Sequence, residues 1–170
     1  MEFDKLEGPA FDAFLKIIDA VKKDAARVNN MNMEEAWGKN GALELIQLVP
    51  LDLGVGTLTS TTRYGYSFGV AIGAVDGLIQ RTIPAGRALG IYGFTDGTVL
   101  PVASQLNISI GSRLSRQWPM IPAQNQLNNT ACRLDPIEVP ESKQMTITDS
   151  CYFAGSLIIA FLGVYAQPKS

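Results

Sequence analysis

The sequence contains no histidine among its 170 residues. Histidine is the usual base of Ser-His-Asp and Cys-His catalytic sites and a common zinc ligand, so these arrangements are excluded. Only two cysteines are present, Cys132 and Cys151, and their separation of 19 residues fits neither a CxxC redox motif nor a usual metal-ligand spacing. They either form a disulfide or remain as two buried thiols. These deficits predict a protein that is not an enzyme and has no metal or cofactor.

Charged residues are scarce in the larger part of the chain. Residues 1–40 hold 14 of them, whereas residues 41–170 hold 16 in 130 positions, about half the usual density. The net charge is −2, so no overall field favours nucleic acid or an anionic membrane. Because the centres of protein interfaces are poor in Lys, Glu and Asp, this body predicts contacts with other protein chains.

Motifs for nucleotide binding and acid–base catalysis are also missing. The segment Gly38-Lys39-Asn40 lacks the Ser or Thr of a P-loop, and Gly54-Val55-Gly56 lacks the third glycine of a dinucleotide-binding fingerprint. The carboxylates of the body sit where turns or solvated loops account for them. Arg113, Arg116 and Trp118 predict at most a small cation–aromatic patch, which a subunit contact or surface ion pair explains better than nucleic acid does.

One amphipathic helix is predicted over residues 9–28. Apolar residues recur there with alternating steps of three and four, at Phe11, Phe14, Ile18, Val21, Ala25 and Val28. The helix begins at Pro9 and ends at Asn29-Asn30. Its apolar seam either lies on the body of the same chain or docks on another subunit. We therefore divide the chain into a helix and connector, residues 1–41, and a β-barrel body, residues 42–170.

From residue 42 onward the apolar period is two, which predicts strands. The clearest example is residues 64–73, where large and small side chains alternate and would occupy opposite faces of one long strand. Gly69 and Gly73 on its small face would allow close approach of another subunit. Asp76-Gly77 and Asp96-Gly97 predict turns. About eight short strands with frequent turns predict a mainly β fold, a β-sandwich or single jelly-roll barrel.

One long uncharged segment raises the question of a membrane. Residues 150–168 carry no charge, so they form either a strand buried on both faces or a C-terminal membrane anchor. Their β-branched and aromatic residues, and their interruption by Gly155 and Gly163, favour the strand. Residues 1–5 are acidic and no apolar signal-peptide region follows them, so we expect no signal peptide.

Residues 83–94, with residues 106–111 and the apolar closing strand after Met145, resemble strands of viral jelly-roll coat proteins. An N-terminal helix joined to one barrel of about 130 residues is similar to the small single-jelly-roll major capsid proteins of tailless icosahedral, membrane-containing double-stranded DNA phages.

The resemblance implies a structural subunit located in the virion. Such a subunit forms dimers or higher oligomers, packs with a larger partner coat protein, lies near an internal membrane and makes no direct contact with nucleic acid. The interface candidates are Phe11, Phe14, Ile18, Val21, Gly69, Gly73 and Trp118. The alternative is a phage spike, decoration or glycan- or receptor-binding β-domain that captures ligands near Trp118 or residues 124–130.

Overall fold

A computed structural model describes residues 8–55, 66–73, 75–98, 102–120 and 132–169 of the chain. Helices α1 and α2 span Gly8–Val28 and Met33–Trp37, and a short 3-10 helix spans Pro50–Leu53. Nine strands lie in the described residues, namely β1 (Leu43–Gln47), β2 (Tyr66–Val70), β3 (Val75–Thr82), β4 (Ala88–Asp96), β5 (Ala103–Ile110), β6 (Arg113–Pro119), β7 (Cys132–Val139), β8 (Gln144–Cys151) and β9 (Gly155–Pro168). Residues 124–130, named above as a candidate ligand-binding segment, lie outside this part of the chain.

The strands form two antiparallel sheets packed as a sandwich, and helix α1 precedes them in the chain. This is the fold class that the sequence predicts. Sheet A has the order β1-β9-β4-β7. Strand β2 also pairs with β9, at residues 155–159, whereas β1 pairs with residues 164–168. Sheet B has the order β3-β8-β5-β6. If β1 and β2 are taken as one interrupted strand, the first strand pairs with the last, the second with the last but one, and so on inward. This nested pairing is that of one long hairpin rolled up, the jelly roll.

The main core lies between the two sheets. Alternate residues of β8 and β9 point into it, as strand geometry requires. On β8 these are Met145, Ile147, Asp149 and Cys151, of which Asp149 is the exception to an otherwise apolar set. The uncharged segment predicted as strand or membrane anchor is mostly β9, a strand inside sheet A. Among the described residues, no helix is long and apolar enough to cross a membrane.

Helix α1 covers the outer face of sheet A. Phe14, Ile17, Val21 and Ala25 are buried against β4 and β9 in a second apolar cluster. The helix approaches the sheet closely because Gly90 of β4 has no side chain: a Cβ there would lie 2.6 Å from Cγ2 of Val21. The apolar face of the helix is therefore satisfied by its own chain.

The predicted apolar seam was wrong at two points. Ile17, which the prediction left out, is buried at the helix–sheet contact, whereas Ile18 is only half-buried. Phe11 is 41% exposed. A spacing of three and four residues predicts that a helix has an apolar face. Which residues lie at the centre of that face depends on the surface against which the helix packs.

Helix α2 is held by a capping box and by the first helix. The Asn32 side chain accepts a hydrogen bond from the Glu35 amide at 2.9 Å, and the Glu35 carboxylate accepts one from the Asn32 amide at the same distance. The Trp37 indole donates to the Lys22 carbonyl at 3.1 Å. Because α2 is only five residues long, it covers only part of α1.

One strand prediction and one turn prediction need correction. The strand predicted over residues 64–73 is described from Tyr66 and ends at Val70, and the chain turns at Ile72-Gly73, where Gly73 has φ of 66°. Asp76 and Gly77, predicted as a turn, lie inside β3 and pair with β8. The Asp76 carboxylate instead accepts a hydrogen bond from the Ala71 amide at 2.8 Å, so it stabilises the turn from within the strand.

Candidate interaction surface

The predicted interface residues are divided by the fold into buried and exposed groups. Phe14, Val21 and Trp118 are buried within their own chain, so their side chains are covered in this fold, and an interface role for them stays a prediction. The Trp118 ring is 2% exposed and stacks on Phe94 in the main core, with 5.7 Å between ring centroids. It therefore takes no part in a surface patch with arginine. Phe11, Gly69 and Gly73 are exposed and Ile18 is half-buried, and these four remain candidates.

An apolar surface occupies one end of the sandwich. Ile72, Val75, Tyr152 and Phe153 lie at the turns before β3 and after β8, and each is between 50% and 68% exposed. We call these four residues the apolar tip. The Gly73 amide donates to the Cys151 carbonyl at 3.2 Å, and the Tyr152 amide donates to the Val102 carbonyl at 2.8 Å, so the two turns are adjacent. A group of exposed large apolar residues at one place marks an interaction surface more than scattered ones do.

A buried polar cluster lies directly beneath the tip. The fully buried carboxylate of Asp149 accepts hydrogen bonds from the Cys151 thiol at 2.8 Å and from the Asp76 amide at 3.2 Å. Asp76 also binds the Ala71 amide, as described above. The cluster therefore joins β3 to β8 and holds the turn before β3.

The cluster has the ligand atoms of a metal site but also a complete structural explanation. Asp76, Asp149 and Cys151 bring one ligand atom each within 4.8 Å of one another. Burial raises the pKa of Asp149, and the hydrogen bond from Cys151 opposes this shift. Burial and the neighbouring carboxylates raise the pKa of the Cys151 thiol to about 12. A protonated thiol that donates a hydrogen bond to a carboxylate satisfies both groups. The hydrogen bonds therefore explain the cluster as a structural feature.

Sequence reasoning missed Asp149 although a signal was present. It occupies the inward phase of β8, two residues after Ile147 and two before Cys151. An aspartate in phase with core residues marks a buried carboxylate. Cys151 has a free thiol in the structure, which agrees with one of the two alternatives for the cysteines. The side chain of Cys132 lies outside the described residues, so its own state stays a prediction.

A charged cleft lies between α1 and β7. Its volume is about 460 Å³, and it is lined by Lys16, Asp19, Ala20, Lys23, Asp24, Arg27 and Glu138. Lys23 pairs with Asp19 at 2.6 Å, and Arg27 pairs with Asp24. Burial, and then the charge of Asp24, raise the pKa of Glu138, while Arg27 opposes this. The cleft therefore carries charges of both signs, and its two ion pairs both lie within α1.

A second described cleft, of about 260 Å³, lies at the β5–β6 hairpin and is small and polar. Arg113, Leu114 and Arg116 line it at the surface. Charged side chains predominate in the first cleft and two arginines line the second, whereas small-molecule sites are lined mainly by hydrophobic and aromatic side chains.

Comparison of the chain with protein-family models and with curated proteins finds no match.

Proposed function

We propose that this chain is a structural coat subunit of a virion, which self-associates and packs with a larger partner coat protein. The observation that carries the proposal is that the jelly-roll body exposes four large apolar side chains at the turns of one end, outside the two described clefts. Grouped exposed apolar side chains mark contacts with other macromolecules, whereas small ligands are held in concave sites. The low charge of residues 41–170 supports the same reading.

The proposal includes the surroundings that the resemblance to phage capsid proteins implies. The subunit is located in the virion, its partners are copies of itself and other coat proteins, and an internal membrane is a neighbour. It makes no direct contact with nucleic acid, needs no cofactor and catalyses no reaction. A spike, decoration or glycan-binding role would need a ligand site near Trp118 or residues 124–130. The burial of Trp118 removes one basis for that alternative, and residues 124–130 lie outside the described chain.

Light scattering on the purified full chain over a hundredfold range of concentration tests the proposal. We expect a discrete oligomer, or growth into larger particles, because the apolar tip is uncovered in the monomer. Phe153→Ser and Ile72→Ser should each weaken self-association about tenfold or more. Leu114→Ser is the matched control, since Leu114 is 50% exposed but lies by the β5–β6 hairpin. A protein of 18.3 kDa at every concentration would count against self-association.

A further inference from the structure

Edge strands of a sheet carry unpaired backbone groups and are usually protected by charges, proline or irregular pairing. Most edge strands of this sandwich have such protection. They contain Glu44 on β1, Arg81 and a pairing irregularity on β3, Arg113, Arg116 and Pro119 on β6, and Pro136 on β7. Because these strands are protected, uncontrolled pairing along them is disfavoured.

The second strand, β2, lacks every one of these devices. Its sequence, Tyr66-Ser67-Phe68-Gly69-Val70, has no charge and no proline, and it pairs with β9 in unbroken register. Among the described residues, no strand pairs with its other side. An uncharged and regular edge of this kind is a template for a further strand.

Hydrogen bonds of the neighbouring strand show which groups of β2 face outward. Ile158 donates its amide to Oγ1 of Thr98 at 3.0 Å and accepts at its carbonyl from Gly97 at 2.8 Å, so its backbone groups point toward β4. In an antiparallel ladder the direction alternates, so Leu157 and Ile159 point toward β2 and bond with their partners Phe68 and Tyr66.

The residues of β2 between these partners face the other way. The N–H and C=O groups of Ser67 and Gly69 therefore point to the open edge. Gly69 is also exposed, and a Cβ placed on it would meet nothing within 4 Å, so a side chain introduced there has room on the sheet face. The open edge thus offers two sets of backbone donors and acceptors.

We propose that β2 pairs antiparallel with β2 of a second copy of this chain, which continues sheet A across a two-fold axis. This inference rests on the proposed self-association and names its site. The strand suits its own copy because an uncharged segment meets no like-charge repulsion when it pairs with itself. With Ser67 of each copy opposite Gly69 of the other, Val70 lies opposite Tyr66, so the two strands pair over their whole length. A pair of five-residue strands alone buries less than the roughly 800 Å² per partner of a stable interface, so this pairing is one part of the self-association contact.

Residue-resolved amide hydrogen exchange on the full chain, at concentrations below and above assembly, tests the pairing directly. We expect the amides of Ser67 and Gly69 to exchange at least tenfold more slowly in the assembled protein. The amides of Phe68 and Tyr66 are internal controls, since their bonds to β9 protect them in both states.

A charge on the edge gives a second, independent readout. Gly69→Lys should weaken self-association at least tenfold. Gly77→Lys is the matched control, because Gly77 is also an exposed strand glycine whose Cβ would meet nothing within 4 Å, but it lies on β3. Circular dichroism verifies that both variants fold.

The outcomes separate this inference from the proposed function. If the protein assembles but Ser67 and Gly69 exchange equally fast in both states, the pairing is wrong and self-association stands. The same conclusion follows if Gly69→Lys assembles as well as Gly77→Lys does. If the unaltered chain stays monomeric at every concentration, self-association and the pairing both fall.

Discussion

The carboxylate of Asp149 accepts a hydrogen bond from the thiol of Cys151 at 2.8 Å, inside the sandwich and beneath its exposed apolar end. Burying an ionisable group is costly unless it is paired, and here the Cys151 thiol and the Asp76 amide are the partners. Asp76 in turn holds the Ala71 amide of the β2–β3 turn. The surface that we propose for assembly is thus fixed by a polar cluster in the core.

Replacement of Asp149 by asparagine should change how stability depends on pH. Burial raises the pKa of Asp149 in the folded state above its unfolded value of about 4. Its contribution to the free energy of unfolding is therefore largest below pH 4 and is lost as pH rises through the folded pKa. We expect the stability of Asp149→Asn relative to the unaltered protein to increase from pH 4 upward, measured by urea unfolding. The exposed Asp12→Asn is the control and should follow the unaltered protein. If the stability of Asp149→Asn and that of the unaltered protein changed with pH in parallel, the raised pKa of Asp149 would be contradicted.

The thiol of Cys151 should be inert in the folded protein. Its pKa of about 12, raised by burial and by the neighbouring carboxylates, leaves almost no thiolate at pH 8. In a Cys132→Ser background, which leaves Cys151 as the only thiol, reaction with a disulfide reagent should be limited by unfolding. It should become fast in denaturant. Rapid reaction in the absence of denaturant would show that Cys151 is accessible. Thiol counting on the unaltered chain in denaturant separates two free thiols from a disulfide with Cys132.

Removal of the Ile17 side chain should detach helix α1 from sheet A. Ile17 is buried over Gly90, so Ile17→Ala loses apolar contacts and leaves a cavity, at a cost of about 2–5 kcal/mol in the free energy of unfolding. Leu15→Ala on the same helix is the matched control, because Leu15 is exposed, and it should cost about 0.5 kcal/mol or less. Denaturant unfolding of both variants measures the difference. If Ile17→Ala and Leu15→Ala lowered the free energy of unfolding equally, the helix would face the sheet with a different side.

The sequence was sufficient for the fold class because its periodicities are strong. The three-four steps of residues 9–28 predicted α1, and the alternation at Met145 and Ile147 predicted β8. The long uncharged C-terminal segment was correctly favoured as a strand, since β-branched and aromatic residues suit the two buried faces of β9.

Other features depended on tertiary structure and could not be read locally. Asp76-Gly77 has the composition of a turn, but pairing with Thr148 and Asp149 on β8 holds it in a strand. Trp118 lies on an edge strand with arginines nearby, yet its side chain points inward onto Phe94. Of the proposed assembly surface, Gly69 was identified from the small face of the strand. The apolar tip was not, because its residues come from turns that are distant in sequence.

A methyl group on Gly90 should strain the contact between helix and sheet. The Cβ of an alanine there would lie 2.6 Å from Cγ2 of Val21, and Val21 is fully buried, so it has no free space into which to move. Overpacking of this kind typically costs about 1–3 kcal/mol in the free energy of unfolding. Gly77→Ala, where the added Cβ meets nothing within 4 Å, is the matched control and should be neutral or slightly stabilising because it stiffens the unfolded chain. Urea unfolding of the two variants measures this. If Gly90→Ala were as stable as Gly77→Ala, the helix would not lie as closely on β4 as the structure has it.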